Sequence, residues 1–317
     1  MASQDHTEHT SHSNPGMSET VFNLAMNSDG LSTLTSNINT QIASSVNTLT
    51  ANVNTQLTNM RTLTSALKAE IEYATTVNRC RHIYDDKYSS FPTITFGTNE
   101  LQICIHGMRS SPGQFLLQFN EAEKHNLKHP GSIKIFAPPV VKAGLEELEI
   151  CGDAIYAQIC PHLDLITRLN IKIVILGISN GGRIGLYLYA KIFESHPTAQ
   201  LYFSPLGSPI QGTYLADFAE KTGVYKMTAY RSCPEVLSEL KRSNDIYQQL
   251  LKRCQKDPNF QSRTRCYVST KDILIYPHDC GILEGHDNQI VNDVLHNGLV
   301  LKYAKEQIQW CISLIDS

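Results

Sequence analysis

The spacing of apolar residues changes near Tyr73 and divides the chain in two. From Leu31 to Ile71 the apolar positions are Leu31, Leu34, Ile38, Ile42, Val46, Leu49, Val53, Leu57, Met60, Leu63, Leu67 and Ile71. A spacing of three or four is the period of one helical face, so this stretch predicts one long amphipathic helix, or two. Ile38, Leu49, Met60 and Ile71 recur every eleven residues, which suits a nearly straight or slightly right-handed bundle better than a heptad coiled coil. The other face is Ser, Thr, Asn and Gln, with Arg61 and Lys68 the only bases between Thr20 and Ala69. It lacks the cationic face that helices use on anionic lipid, and the uncovered stripe predicts self-association or docking on the rest of the protein.

After Tyr73, Pro and Gly punctuate short β-rich runs that alternate with helical patterns. The runs predict strands at Thr93–Phe96, Leu101–His106, Ile133–Ala137, Ile171–Leu176, Gln200–Ser204, Arg265–Ser269 and Gln289–Val294. Helices are predicted near Pro112–Lys124, Gly144–Arg168, Gly181–Ser195, Pro234–Arg253 and Leu299–Ile315. Alternation of the two, with nearly continuous apolar strands such as Ile171–Leu176, implies an α/β fold whose mostly parallel sheet is covered on both sides. In such sheets ligands gather at the carboxyl ends of the strands. The organisation expected is a disordered polar tail over residues 1–18, a helical, coiled-coil-like extension over 19–80 and an α/β domain over 81–317.

Composition narrows the function classes. The net charge is −3 with both signs mixed along the C-terminal part, so nothing marks a nucleic-acid surface. The nine cysteines are an odd number, and Cys104 and Cys266 fall inside apolar runs; reduced thiols and a cytoplasmic setting are expected. Neither a CxxC pair nor a zinc-type Cys/His spacing occurs, so no metal is expected. The polar start MASQDHTEHTSHSNPG has no apolar core of a secretory signal, and no run of about 18 apolar residues predicts a membrane span. Export by a machine that reads a polar N-terminus would leave little trace in composition.

The strongest local signal is Gly177-Ile178-Ser179-Asn180-Gly181-Gly182, directly after an apolar strand and directly before a helical run. This is a G-x-S-x-G nucleophile elbow in its required context. A turn that sharp needs small residues where strand and helix nearly touch, and it lifts the Ser179 hydroxyl above the sheet at the positive end of the helix.

With that motif the chain resembles the α/β-hydrolase superfamily, lipases and esterases in particular, over about residues 93–317. Three segments besides the elbow carry the likeness. Leu101-Gln102-Ile103-Cys104-Ile105-His106-Gly107-Met108 resembles the strand and His-Gly turn before a lipase oxyanion hole, and Ser110–Phe115 continues it. Ser204–Thr213 resembles the segment after a later strand, with Ile210 where lipases commonly have His. The resemblance implies an α/β-hydrolase fold with a cap insertion, at about 213–264 here, and an oxyanion hole formed by the backbone N–H groups of Met108 and Asn180. His106 is expected to be a packed turn histidine.

The superfamily order of nucleophile, acid and histidine implies the remaining catalytic groups. Asp272 follows the late strand Arg265–Ser269, and His296 precedes the final helix. Ser179 is then the nucleophile, His296 its base and Asp272 the group that orients the imidazole, with no cofactor required. His286 as base, and Asp279 or Asp287 as acid, remain open alternatives. Tyr214, Leu215, Phe218, Tyr225, Met227 and Tyr230 in the insertion are candidates for an acyl pocket or for a small core of the cap itself.

The expected activity is hydrolysis of carboxylic esters, with a lipid or long-chain acyl substrate. The same groups serve protein-acyl thioesterases and acyltransferases, and an inactive hydrolase body used as a scaffold is the alternative from another class.

Overall fold

The computed structural model describes residues 36–54 except 38 and 49, residue 84, and residues 87–222, 234–292 and 294–315. The chain divides into two units, Met1–Thr64 and Ser65–Ser317.

In the first unit every described residue from 36 to 54 is helical and exposed. The hydroxyls of Thr40, Thr48 and Thr50 donate to the carbonyls one turn back, on Ser36, Ser44 and Val46, so the polar face satisfies itself locally. Ile42, Val46 and Val53 lie bare on this helix. The polar tail and the other members of the apolar stripe lie outside the described residues.

The second unit is built on six parallel strands in the order β2-β1-β3-β4-β5-β6. They are β1 (Glu100–Ile105), β2 (Ile133–Phe136), β3 (Lys172–Ile178), β4 (Leu201–Leu206), β5 (Arg265–Ser269) and β6 (Asp287–Val291). Side chains alternate across such a sheet and both faces are covered. Leu101, Ile103, Ile173 and Ile175 enter one core layer with α2 (Leu148–Ile159), α3 (Leu163–Arg168), α4 (Asn180–Ser195) and α7 (Ile246–Cys254). Cys104, Val174 and Leu176 enter the other with Phe119 of α1 (Leu116–Lys128) and Leu299, Ile308 and Cys311 of α8 (His296–Ile315). The remaining helices, α5 (Tyr214–Thr222) and α6 (Pro234–Glu239), come from the insertion. This is the α/β-hydrolase fold.

Several predicted elements differ from the observed ones. Thr93–Phe96 forms no strand: the Thr98 N–H closes a turn on the Thr95 carbonyl at 3.0 Å, and Phe96 is 97% exposed. The helix predicted from Gly144 starts at Leu148 and passes through a 3-10 turn at Cys160–His162, where Pro161 has no N–H to continue the ladder. The helix predicted over Pro234–Arg253 is two helices. Between them the Leu240 carbonyl accepts the Thr213 N–H at 2.8 Å, and the Asn244 side chain accepts the Ile246 N–H at 2.9 Å to start α7. β6 begins earlier than predicted and α8 begins at His296 rather than Leu299.

The insertion is not all cap. Tyr247, Leu250 and Cys254 of α7 pack in the main core, and the Cys254 thiol donates to the Leu186 carbonyl of α4 at 3.5 Å. α5 and α6 make a separate small cluster, Ala216, Val236, Leu237 and Leu240, against Met108 and Leu145.

Candidate active site

Between the last residue of β3 and the first of α4 stands a single residue, Ser179, with φ 55° and ψ −130°. A non-glycine residue there stores strain of about 1–3 kcal/mol, held by its surroundings. The Ser179 N–H donates to the Leu206 carbonyl at 3.0 Å, and the Ser179 carbonyl accepts the Gly182 N–H at 3.0 Å. Close approach explains the flanking glycines: a Cβ on Gly181 would overlap the Ile105 carbonyl, and one on Gly177 would overlap the backbone of Gly182. Ser179 itself is half-buried.

The loop after β1 lies against the serine. A Cβ on Gly107 would sit 2.9 Å from Ser179 Cβ and 3.5 Å from its Oγ. The Gly107 N–H donates to Oε1 of the buried Gln114 at 2.9 Å. His106 Nε2 accepts the Val140 N–H at 3.0 Å, so its proton is on Nδ1, which lies 2.9 Å from the Gly107 carbonyl. This histidine braces the loop that carries Met108. Asn180 is buried, with its amide Nδ2 at 3.4 Å from the Gly144 carbonyl.

At the carboxyl end of β5, Asp272 Oδ1 accepts the N–H groups of Leu274 and Ile275, both at 2.9 Å. That leaves Oδ2 for His296 Nδ1, at 2.6 Å. Asp272 is 3% and His296 5% exposed, so the contact is made out of water, where it is strongest. Gly207, with φ 54°, faces the imidazole: a Cβ there would sit 3.4 Å from His296 Nδ1 and Cε1. The end of β4 therefore holds the Ser179 amide through Leu206 and lies against His296 through Gly207.

The alternative residues have other partners. Asp279 forms a two-pronged pair with Arg242 at 3.0 and 3.1 Å, and Asp287 pairs with Arg265 at 2.7 Å. His286 stacks edge-on against Phe260, and burial pushes its pKa down. Tyr214, Leu215 and Phe218 are exposed on α5, whereas Tyr225, Met227 and Tyr230 lie outside the described residues.

One group near the elbow carries no sequence signal. Arg183, on the first turn of α4, is buried and donates to the Glu239 carbonyl at 2.8 Å; burial lowers its pKa to about 10. The Glu239 carboxylate in turn accepts the Leu148 N–H at 3.0 Å, and burial raises its pKa. This pair ties α6 to both α4 and α2.

No family model and no curated protein sequence matches the chain. Solved structures do. It is similar to phospholipase PlaB from Legionella pneumophila at 15% identity over 54% of this chain, with a TM-score of 0.41. The match spans 39% of the length of that phospholipase. It is similar to lipase BlEst2 from Bacillus licheniformis at 12% identity, over 73% of this chain and 96% of that one, with a TM-score of 0.46. The metagenomic carboxyl esterase MGS0156 is 14% identical over 72% of this chain and 77% of its own, with a TM-score of 0.41.

Proposed function

We propose that the protein is a serine hydrolase that cleaves carboxylic esters, of lipid or long-chain acyl type, through Ser179, His296 and Asp272. The observation that carries this reading is the buried 2.6 Å contact of His296 with Asp272, beside a β4 end whose Gly207 lies against the imidazole and whose Leu206 carbonyl accepts the N–H of Ser179, the residue in elbow geometry. In this mechanism His296 takes the proton of Ser179 as its oxygen attacks the ester carbonyl. Asp272 holds the imidazole in the tautomer that presents Nε2 to the serine and stabilises the imidazolium. The N–H groups of Met108 and Asn180 face the oxyanion, and loss of one such donor costs about 3–4 kcal/mol of barrier. The alcohol leaves, an acyl-enzyme remains, and water activated by His296 releases the acid.

An acyl chain is supported by apolar side chains on and near the loop after β1: Met108 and Leu145 pack against the α5–α6 cluster, and Leu215 and Phe218 of α5 are exposed. The test is hydrolysis of p-nitrophenyl esters of increasing chain length by wild type and Ser179→Ala, with fluorophosphonate labelling of both. Activity and labelling that vanish together in Ser179→Ala support the reading. A wild type that neither hydrolyses nor labels would sink it in favour of a scaffold.

A further inference from the structure

Directly behind the loop that carries Met108, the backbone turns the wrong way for L-residues three times in succession. Lys142 (φ 46°), Ala143 (φ 55°) and Gly144 (φ 75°) all lie in the left-handed region. Two of the three have a Cβ, so the conformation is held by what the turn touches rather than chosen by its residues.

Its contacts converge on the proposed oxyanion donors. The Ala143 carbonyl accepts the N–H of Arg109, the residue after Met108, at 2.7 Å. Gly144 lies so close to Met108 that a Cβ on it would come within 3.3 Å of Met108 Cα and 3.6 Å of Met108 N. The Gly144 carbonyl faces the Asn180 amide nitrogen at 3.4 Å, while Asn180 Oδ1 is buried with no hydrogen-bond partner. The turn is itself pinned on both sides, by the Val140 N–H on His106 Nε2 at 3.0 Å and by the Leu148 N–H on Glu239.

We propose that the Lys142–Gly144 turn is a positioning element that sets the places of the Met108 and Asn180 N–H groups around the developing oxyanion. The inference rests on the serine-hydrolase reading above. These residues touch no substrate; they act through the two donors. A misplacement of such groups by about 1 Å costs on the order of a hundredfold in rate, so a small shift of the turn is readable in kinetics.

The experiment compares wild type, Gly144→Ala and Asn180→Ala in the full chain. It measures kcat and KM on one p-nitrophenyl ester, affinity for an alkyl trifluoromethyl ketone that forms a tetrahedral adduct on the serine, and the thermal midpoint. Gly144→Ala places a Cβ against Met108, and Asn180→Ala removes the side-chain tie while keeping the backbone N–H. Both should lower kcat and ketone affinity together, by about tenfold or more, with KM unchanged. If Gly144→Ala does not fold, Asn180→Ala decides alone. Unchanged kcat and ketone affinity on an active wild type overturn the proposal, as does a loss confined to KM. A wild type that hydrolyses no ester and binds no ketone overturns the serine-hydrolase reading as well.

Discussion

Gly207 lies face to face with His296, so close that a Cβ there would already touch the ring. A Cβ there would stand 3.1 Å from Leu299 Cδ1 and 3.4 Å from the imidazole, and the residue has a φ of 54° that L side chains rarely adopt. Gly207→Val should therefore displace the ring from Asp272 and lower kcat by about a hundredfold or more. Steady-state kinetics beside circular dichroism check this: a folded variant with full activity contradicts it.

Asp272→Asn tests the second contact of that ring. The amide oxygen can keep the N–H groups of Leu274 and Ile275, so the loop should stay folded. The amide nitrogen cannot accept from His296 Nδ1, and the histidine is left in the wrong tautomer. The expected fall in kcat is about 10⁴-fold, while Asp279→Asn and Asp287→Asn should leave kcat near wild type. Kinetics on the three variants separate these outcomes.

Glu100 predicts a pH-dependent stability far from the reaction. It is fully buried at the start of β1, takes one hydrogen bond from Gln102 at 2.6 Å, and leaves Oε2 without a partner. Burial raises its pKa from 4.5 to about 7. The folded state thus keeps a proton that the unfolded state loses earlier, so stability is highest below pH 4.5, falls as pH rises to about 7, and is level beyond. A shift of this size corresponds to about 3 kcal/mol. Glu100→Gln should remove that slope and raise the urea midpoint at pH 8; an unaltered slope would contradict it.

The bare residues Ile42, Val46 and Val53 follow helical spacing on the N-terminal segment, and an apolar stripe of this kind is costly in water unless covered. Full-length protein is expected to self-associate. Ile42→Glu with Val46→Glu should lower the mass seen by light scattering, and identical masses for wild type and variant would rule the idea out.

Legibility followed the physics of each element. β5 occupies Arg265–Ser269 as predicted, because a short apolar run between turn residues has few other conformations. The elbow was readable because close packing of strand on helix admits only glycine at fixed spacing. Thr93–Phe96 had strand-like residues but formed a turn, since propensity cannot tell whether a neighbouring edge is there to pair with. The positive φ of Lys142 and Ala143 was invisible because neither residue type favours it; only tertiary contacts do. Arg183 looked like any basic residue on a helix, and its burial depends on Glu239, which is distant in sequence.

The first part of the insertion is closed by a neck, since the Thr213 N–H donates to the Leu240 carbonyl at 2.8 Å. Once two chain ends are held together, added length between them costs little; each doubling of a loop costs only about 0.6 kcal/mol. The segment that carries α5 and α6 is therefore an exchangeable module. A descendant of this chain could acquire a new substrate range there without refolding the sheet, provided that Glu239 and its partner Arg183 are kept at the seam.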